Sequence, residues 1–179
     1  MKKPNQKQQA GFTLIETFVA IVILVFAVIG PLGLLARAIN DGNFAKNQVT
    51  AYFLAQEGLE IIINKRNLNL KEIIEGSSID WLQDLDNCRD GCKVSPDEDD
   101  FDQCYFDTGT CRLNISGDLY THNAGVPSLF SRQIRIENIE GGSGRVRVTA
   151  DVRWKNKERE VSFDISTIIL NQAPLAPTK

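Results

Sequence analysis

The sequence predicts an α+β fold: a long N-terminal helix, transmembrane in its first half, packed on an antiparallel β-sheet of about four strands. Three observations predict it. Phe18 to Ala36 is a run of nineteen uncharged, mostly apolar residues, and roughly 20 such residues at about 1.5 Å each cross a bilayer core as a helix. Beyond that run, apolar residues recur at spacings of three and four as far as Ile63, as on one face of an amphipathic helix. From Cys111 onward the spacing becomes two, the period of half-buried strands.

The apolar run is preceded by Gly11-Phe12-Thr13-Leu14-Ile15-Glu16 and by a short leader carrying Lys2, Lys3 and Lys7. Glu16 is a carboxylate at the entrance of an apolar segment. If buried unpaired it costs several kcal/mol or more, so it needs either a partner or, by snorkelling, water. The three lysines precede the span and only Arg37 lies close after it. The positive-inside rule therefore predicts a cytoplasmic N-terminus, with everything after about Ala36 outside. An ordinary secretory signal is cut after its apolar region and lost; a cut at Gly11 would instead keep the helix in the product.

Leader, Gly-Phe-Thr-Leu-Ile-Glu and apolar helix together resemble the prepilin signal of type IV pilins and type II secretion pseudopilins, over about residues 1–66. The resemblance implies that a prepilin peptidase in the membrane cuts after Gly11 and methylates the new N-terminus, Phe12. It implies that Glu16 then faces the terminal amine of a neighbouring subunit in a filament. On this reading the chain is a structural subunit, a minor one, whose partners are the peptidase, the membrane and other pilin subunits, with no cofactor. Pilus, secretion pseudopilus and DNA-uptake filament share the motif, and the sequence does not choose among them. The alternative of a different class is a membrane-tethered binding or adhesion module that never polymerises. The formal charge is −3, and loss of the three leader lysines gives −3 − 3 = −6; nothing in it recommends nucleic acid as a partner.

In chain order, the reading is a leader (1–11), an apolar helix (12–36), its amphipathic continuation (37–66), an acidic cysteine-containing region (67–118), the sheet (119–170) and a tail (171–179). A continuous helix from Phe12 to about Arg66 would measure about 80 Å. Pro31, between Gly30 and Gly33, predicts a bend, because an internal proline removes a helical hydrogen bond. The stripe Ala45, Val49, Tyr52, Phe53, Gln56, Leu59 and Ile63 is expected to cover the sheet. Asn67 and Asn69 read as helix breakers and Gly76-Ser77-Ser78 as a turn. Ile79 to Leu85 is expected to form a short helix carrying Trp81.

Between Glu72 and Asp118 thirteen acidic residues face three basic ones, a local charge of −10. Its densest part holds Asp97, Asp99, Asp100 and Asp102, oxygen ligands that suit Ca²⁺, but without the spacing or glycine of an EF-hand loop; a solvated acidic loop is the simpler reading. Cys88, Cys92, Cys104 and Cys111 lie in the same region. Outside the cytoplasm, four cysteines among few apolar residues predict two disulfides, with three connectivities open. A four-thiolate zinc site is the alternative, against which stands the lack of paired C-x2-C knuckles.

The strands read as Leu113 and Ile115, then Ile134 and Ile136, then Val146, Val148, Ala150, Val152 and Trp154, then Val161, Phe163 and Ile165. Gly141-Gly142-Ser143-Gly144 and Lys155-Asn156-Lys157 serve as turns. The polar face carries Arg135, Arg145, Arg147 and Arg153. The tail, with Pro174 and Pro177, is expected to be loosely held. His122, the only histidine, reads as a solvated turn residue. No nucleophile elbow, phosphate loop or His-rich motif accompanies it, so no enzymatic role is expected. Asn114-Ile115-Ser116 matches a glycosylation sequon inside a predicted strand.

Overall fold

In the computed structural model, which describes residues 11, 13–96, 101–139 and 144–172, helix α1 runs from Leu14 to Ile74. It continues through Pro31, so the proline does not end it. The chain divides into two compact units, Met1–Ala45 and Lys46–Lys179. Among the described residues, the first holds α1 from Leu14 to Ala45, including its apolar run. The second holds the remainder of α1 and the sheet.

The helix ends eight residues beyond the expected exit near Arg66. Asn69 does not break it: the side chain is buried, and its Nδ2 donates to Trp81 O at 3.3 Å and Gln83 O at 3.0 Å. An asparagine whose amide is used by a neighbouring segment has no reason to compete for its own helix backbone. The actual stop is Gly76 at φ 101°. Gly76 N–H donates to Ile73 O, and Ser77 N–H donates to Glu72 O at 2.9 Å, the paired bonds of a Schellman C-cap. Trp81, Leu82 and Leu85 are buried, but the expected short helix over Ile79–Leu85 is instead a series of turns leading into a 3-10 turn at Asp86–Arg89. Lys65 anchors these turns to α1 through an ion pair to Asp84 at 2.8 Å. That lysine holds the Asp84 carboxyl below its ordinary range, so its small contribution is present above about pH 4 and fades as pH falls through the lowered value.

The sheet has five strands, β1 (Arg112–Ser116), β2 (Leu119–Thr121), β3 (Val126–Asn138), β4 (Arg145–Asn156) and β5 (Arg159–Leu170). Their order is β2-β1-β3-β4-β5, antiparallel throughout. The strand beyond the expected four comes from the β1–β2 hairpin. It turns at Gly117, φ 62°, a backbone that glycine adopts without strain. The sheet therefore begins at Arg112, within the stretch assigned from sequence to the acidic region. Lys157 and Glu158 connect β4 to β5, with Asn156 opposite Arg159. Of the other expected turn, Gly141, Gly142 and Ser143 lie outside the described residues, as do Pro174 and Pro177 of the tail.

Val146, Val148, Ala150, Val152 and Trp154 are buried and alternate with more exposed partners along β4. The helix face that covers them shares only Leu59 with the expected stripe. Ala51, Leu54, Ala55, Gly58 and Ile62 are buried beside it, whereas Val49, Tyr52 and Phe53 of the stripe are 56%, 46% and 62% exposed. Backbone proximity explains the choice, since small residues let a helix lie close on a sheet and large ones hold it off. Gly58 sits at a close approach: a Cβ there would sit 2.7 Å from Ile134 Cδ1 and 3.2 Å from Arg132 Cδ. Gly58→Val is therefore expected to destabilise the fold by about 1–3 kcal/mol through overpacking, outweighing the few tenths of a kcal/mol or more regained when a helix loses a glycine. Denaturant unfolding checks this, and an unchanged midpoint would show that the helix-to-sheet spacing yields freely.

The four cysteines form two local bridges, Cys88–Cys92 and Cys104–Cys111. Closing loops this short removes about 2 kcal/mol of unfolded-chain entropy each. The bridged segments sit on the edge of β3 that β1 leaves open. Cys92 exchanges backbone hydrogen bonds with Ile134, both at 2.9 Å, and Arg132 N–H donates to Cys111 O at 2.9 Å. Gln133, on the opposite face, donates through Nε2 to Cys104 O at 2.6 Å. An otherwise bare strand edge is covered in this way. Arg153 extends the attachment: it pairs with Asp151 at 2.8 Å and lies 3.9 Å over the Phe106 ring, and the Asp151 bond raises its pKa.

Candidate functional site

Helix α1 starts from Thr13. This residue precedes the first helical position, and its Oγ1 accepts the Glu16 N–H at 3.3 Å. Thr13-Leu14-Ile15-Glu16 is thus an N-cap sequence of the S/T-x-x-E type. It starts the helix two residues after the Gly11–Phe12 bond and puts the Glu16 carboxylate in the first turn, where the helix dipole favours negative charge by about 0.3–1 kcal/mol. Gly11 lies outside the helix, exposed, with nothing within 4 Å of where a Cβ would stand. Phe12 and the leader lysines lie outside the described residues.

After Glu16 no charge occurs until Arg37. Leu14, Phe18, Ile21, Leu24, Phe26 and Ile29 are each more than 60% exposed, on all sides of the helix. This one helix near the N-terminus is long and apolar enough to span a membrane. Apolar surface on that scale is not left in water; lipid or other apolar helices must cover it.

Of the Ca²⁺ candidates, Asp97, Asp99 and Asp100 lie outside the described residues. Asp102 forms an ion pair with Lys93 at 3.2 Å. No group of three or more His, Cys, Asp or Glu that could hold a metal occurs among the described residues. All four cysteines are consumed by the disulfides, which leaves none for zinc. His122 lies in the turn between β2 and β3, as expected, but it is not fully solvated. It is half-buried, with Nδ1 3.2 Å from Arg112 O and its backbone N–H donating to Ser95 Oγ at 2.9 Å. Asn114 of the sequon donates through Nδ2 to Asn123 O at 2.7 Å, so its amide is already engaged in the fold.

One polar centre was absent from the sequence reading. Arg132 is fully buried between sheet and helix. Its Nη1 donates to Leu54 O at 2.8 Å and Glu57 Oε2 at 2.6 Å, and its Nη2 donates to Val94 O at 2.7 Å. One guanidinium thereby ties α1, β3 and the disulfide-bridged segment together. Burial pulls its pKa down, and the Glu57 charge opposes that. The signal was present in the period: Phe130, Arg132, Ile134 and Ile136 share one face, and only Arg132 among them is charged.

Comparison with protein-family models, with curated proteins and with solved structures finds no match to this chain.

Proposed function

We propose that the chain is a structural subunit of a type IV pilus or related filament. It is inserted in the cytoplasmic membrane with its N-terminus inside, cleaved after Gly11, N-methylated on Phe12 and assembled through the first part of α1. The observation that carries this reading is the Gly11–Arg37 segment: an exposed Gly11 outside the helix, a capped helix start at Thr13, one carboxylate in the first turn, and an apolar surface all round. A simple anchor needs the apolar surface but has no use for the carboxylate. A subunit that must leave lipid and pack against its own kind uses both, because a buried carboxylate is tolerable beside a buried ammonium. The disulfides of the Lys46–Lys179 unit support an oxidising compartment for it.

Processing tests the proposal. Gly11→Val puts a β-branched side chain where a peptidase must approach the backbone, and it is expected to leave uncut precursor in the membrane. N-terminal sequencing and intact mass of the membrane fraction check this. Mature chains beginning at Phe12 in the variant, or a wild type that keeps its leader, would favour the uncleaved tethered module instead.

A further inference from the structure

Between α1 and the β1–β2 hairpin lies a groove of about 470 Å³. Phe53, Leu54, Leu119 and Tyr120 give its lining apolar surface, and Glu57, Glu60 and Asp118 line it as well. Glu57 is committed to Arg132. Glu60 and Asp118 are exposed and have no ion-pair partner among the described residues. At the other edge of the sheet, on the face turned away from α1, the chemistry is reversed. Arg145 and Arg147 are exposed on β4, opposite Leu170 and Ile168 of β5, which are 36% and 55% exposed. Neither arginine has an ion-pair partner among the described residues.

We propose that this groove receives the Arg145, Arg147, Ile168 and Leu170 patch of a second copy of the chain. The match is double: long cationic side chains meet the carboxylates of the lining, which guanidinium groups bind well, and exposed aliphatic side chains meet its apolar residues. The groove lies at the β2 edge and the patch at the β5 edge, so one copy does not satisfy itself. Contact between two different surfaces is heterologous, and its repetition generates an open array. The inference rests on the filament-subunit reading and adds to it a specific contact between heads.

The test uses the full-length chain solubilised in detergent, with a photo-crosslinking amino acid at Leu119 and the captured peptide mapped by mass spectrometry. The wild type is expected to capture the peptide containing Ile168 and Leu170 of a second copy. Glu60→Lys with Asp118→Lys, and separately Arg145→Glu with Arg147→Glu, are each expected to lower capture about tenfold or more, and all four changes together to restore most of it. The neutral set, Glu60→Gln with Asp118→Asn, guards against misfolding of the reversed variant and is expected to lower capture as well. Capture unchanged by any of these sets, capture of a different surface, or a fourfold variant as low as its parents overturns the proposed contact. Filament recovery from cells is read alongside. Filaments that persist undiminished in both reversed variants overturn the contact and leave the subunit reading standing, whereas absence of wild-type filaments overturns that reading.

Discussion

Arg132→Leu is expected to destabilise the Lys46–Lys179 unit by about 3–5 kcal/mol, a large share of the about 5–15 kcal/mol that holds a domain together. The side chain is fully buried and donates to three acceptors on two other segments. Removing it strands Val94 O in a dry interior and leaves the Glu57 carboxylate without its cation, although Glu57 is 34% exposed and can turn toward water. The usual argument that a buried ion pair can be exchanged for apolar residues at no loss does not transfer here, because two of the three acceptors are backbone carbonyls that no substitution removes. Arg132→Leu with Glu57→Leu should therefore remain well below the wild type. Glu57→Gln keeps an acceptor in place and should lose about 1–2 kcal/mol. Thermal and denaturant unfolding of the full-length chain in detergent micelles rank the variants; an Arg132→Leu variant that melts with the wild type would mean that Arg132 merely fills space.

Glu16→Ala is expected to abolish incorporation into filaments while leaving the melting of the Lys46–Lys179 unit unchanged. Two roles compete for this residue. As part of the N-terminal cap of α1 it contributes at most about 1 kcal/mol, and the helix would survive without it. As the partner of another subunit's Phe12 amine among apolar helices, its loss would strand a buried charge at about 3–5 kcal/mol per contact. Glu16→Gln separates the two. An amide retains the reach and hydrogen bonding of a capping residue but does not neutralise an ammonium. If pairing governs, Gln fails nearly as badly as Ala in the sheared-filament fraction, and if capping governs, Gln incorporates like the wild type. Membrane levels of all three proteins supply the control, since a single uncharged position at the end of a span does not impede insertion.

The regular periods of this chain were legible and its exceptions were not. The alternation from Val146 to Trp154 identifies a strand and its buried face without ambiguity, because each inward position is apolar. The same rule carried through β3 meets Arg132, and a charged residue in an apolar phase reads as the end of a pattern until its three acceptors are seen. Those acceptors, on Leu54, Glu57 and Val94, lie far from Arg132 in sequence. Local spacing has no access to them. The helix face is legible only in part for a related reason: Leu59 of the expected stripe is buried, but close packing selects Ala51, Ala55 and Gly58 over the larger Val49, Tyr52 and Phe53. Asn69 reads as a breaker by propensity and is held in the helix by two carbonyls across the following turns, tertiary context overriding a weak local preference. The disulfide pairing needed the edge of β3, where Cys92 and Cys111 dock on neighbouring residues. At the N-terminus the apolar run and the position of Glu16 were plain, and the cap at Thr13 explains why the helix begins where it does.

The most direct measurement is the intact mass and N-terminal sequence of the chain recovered from filaments sheared off intact cells. The recovered chain is expected to begin at Phe12, to carry one added methyl group on its terminal amine and to lack the hydrogens of two disulfides. A chain that begins at Met1 and is found only in the membrane fraction would contradict this expectation.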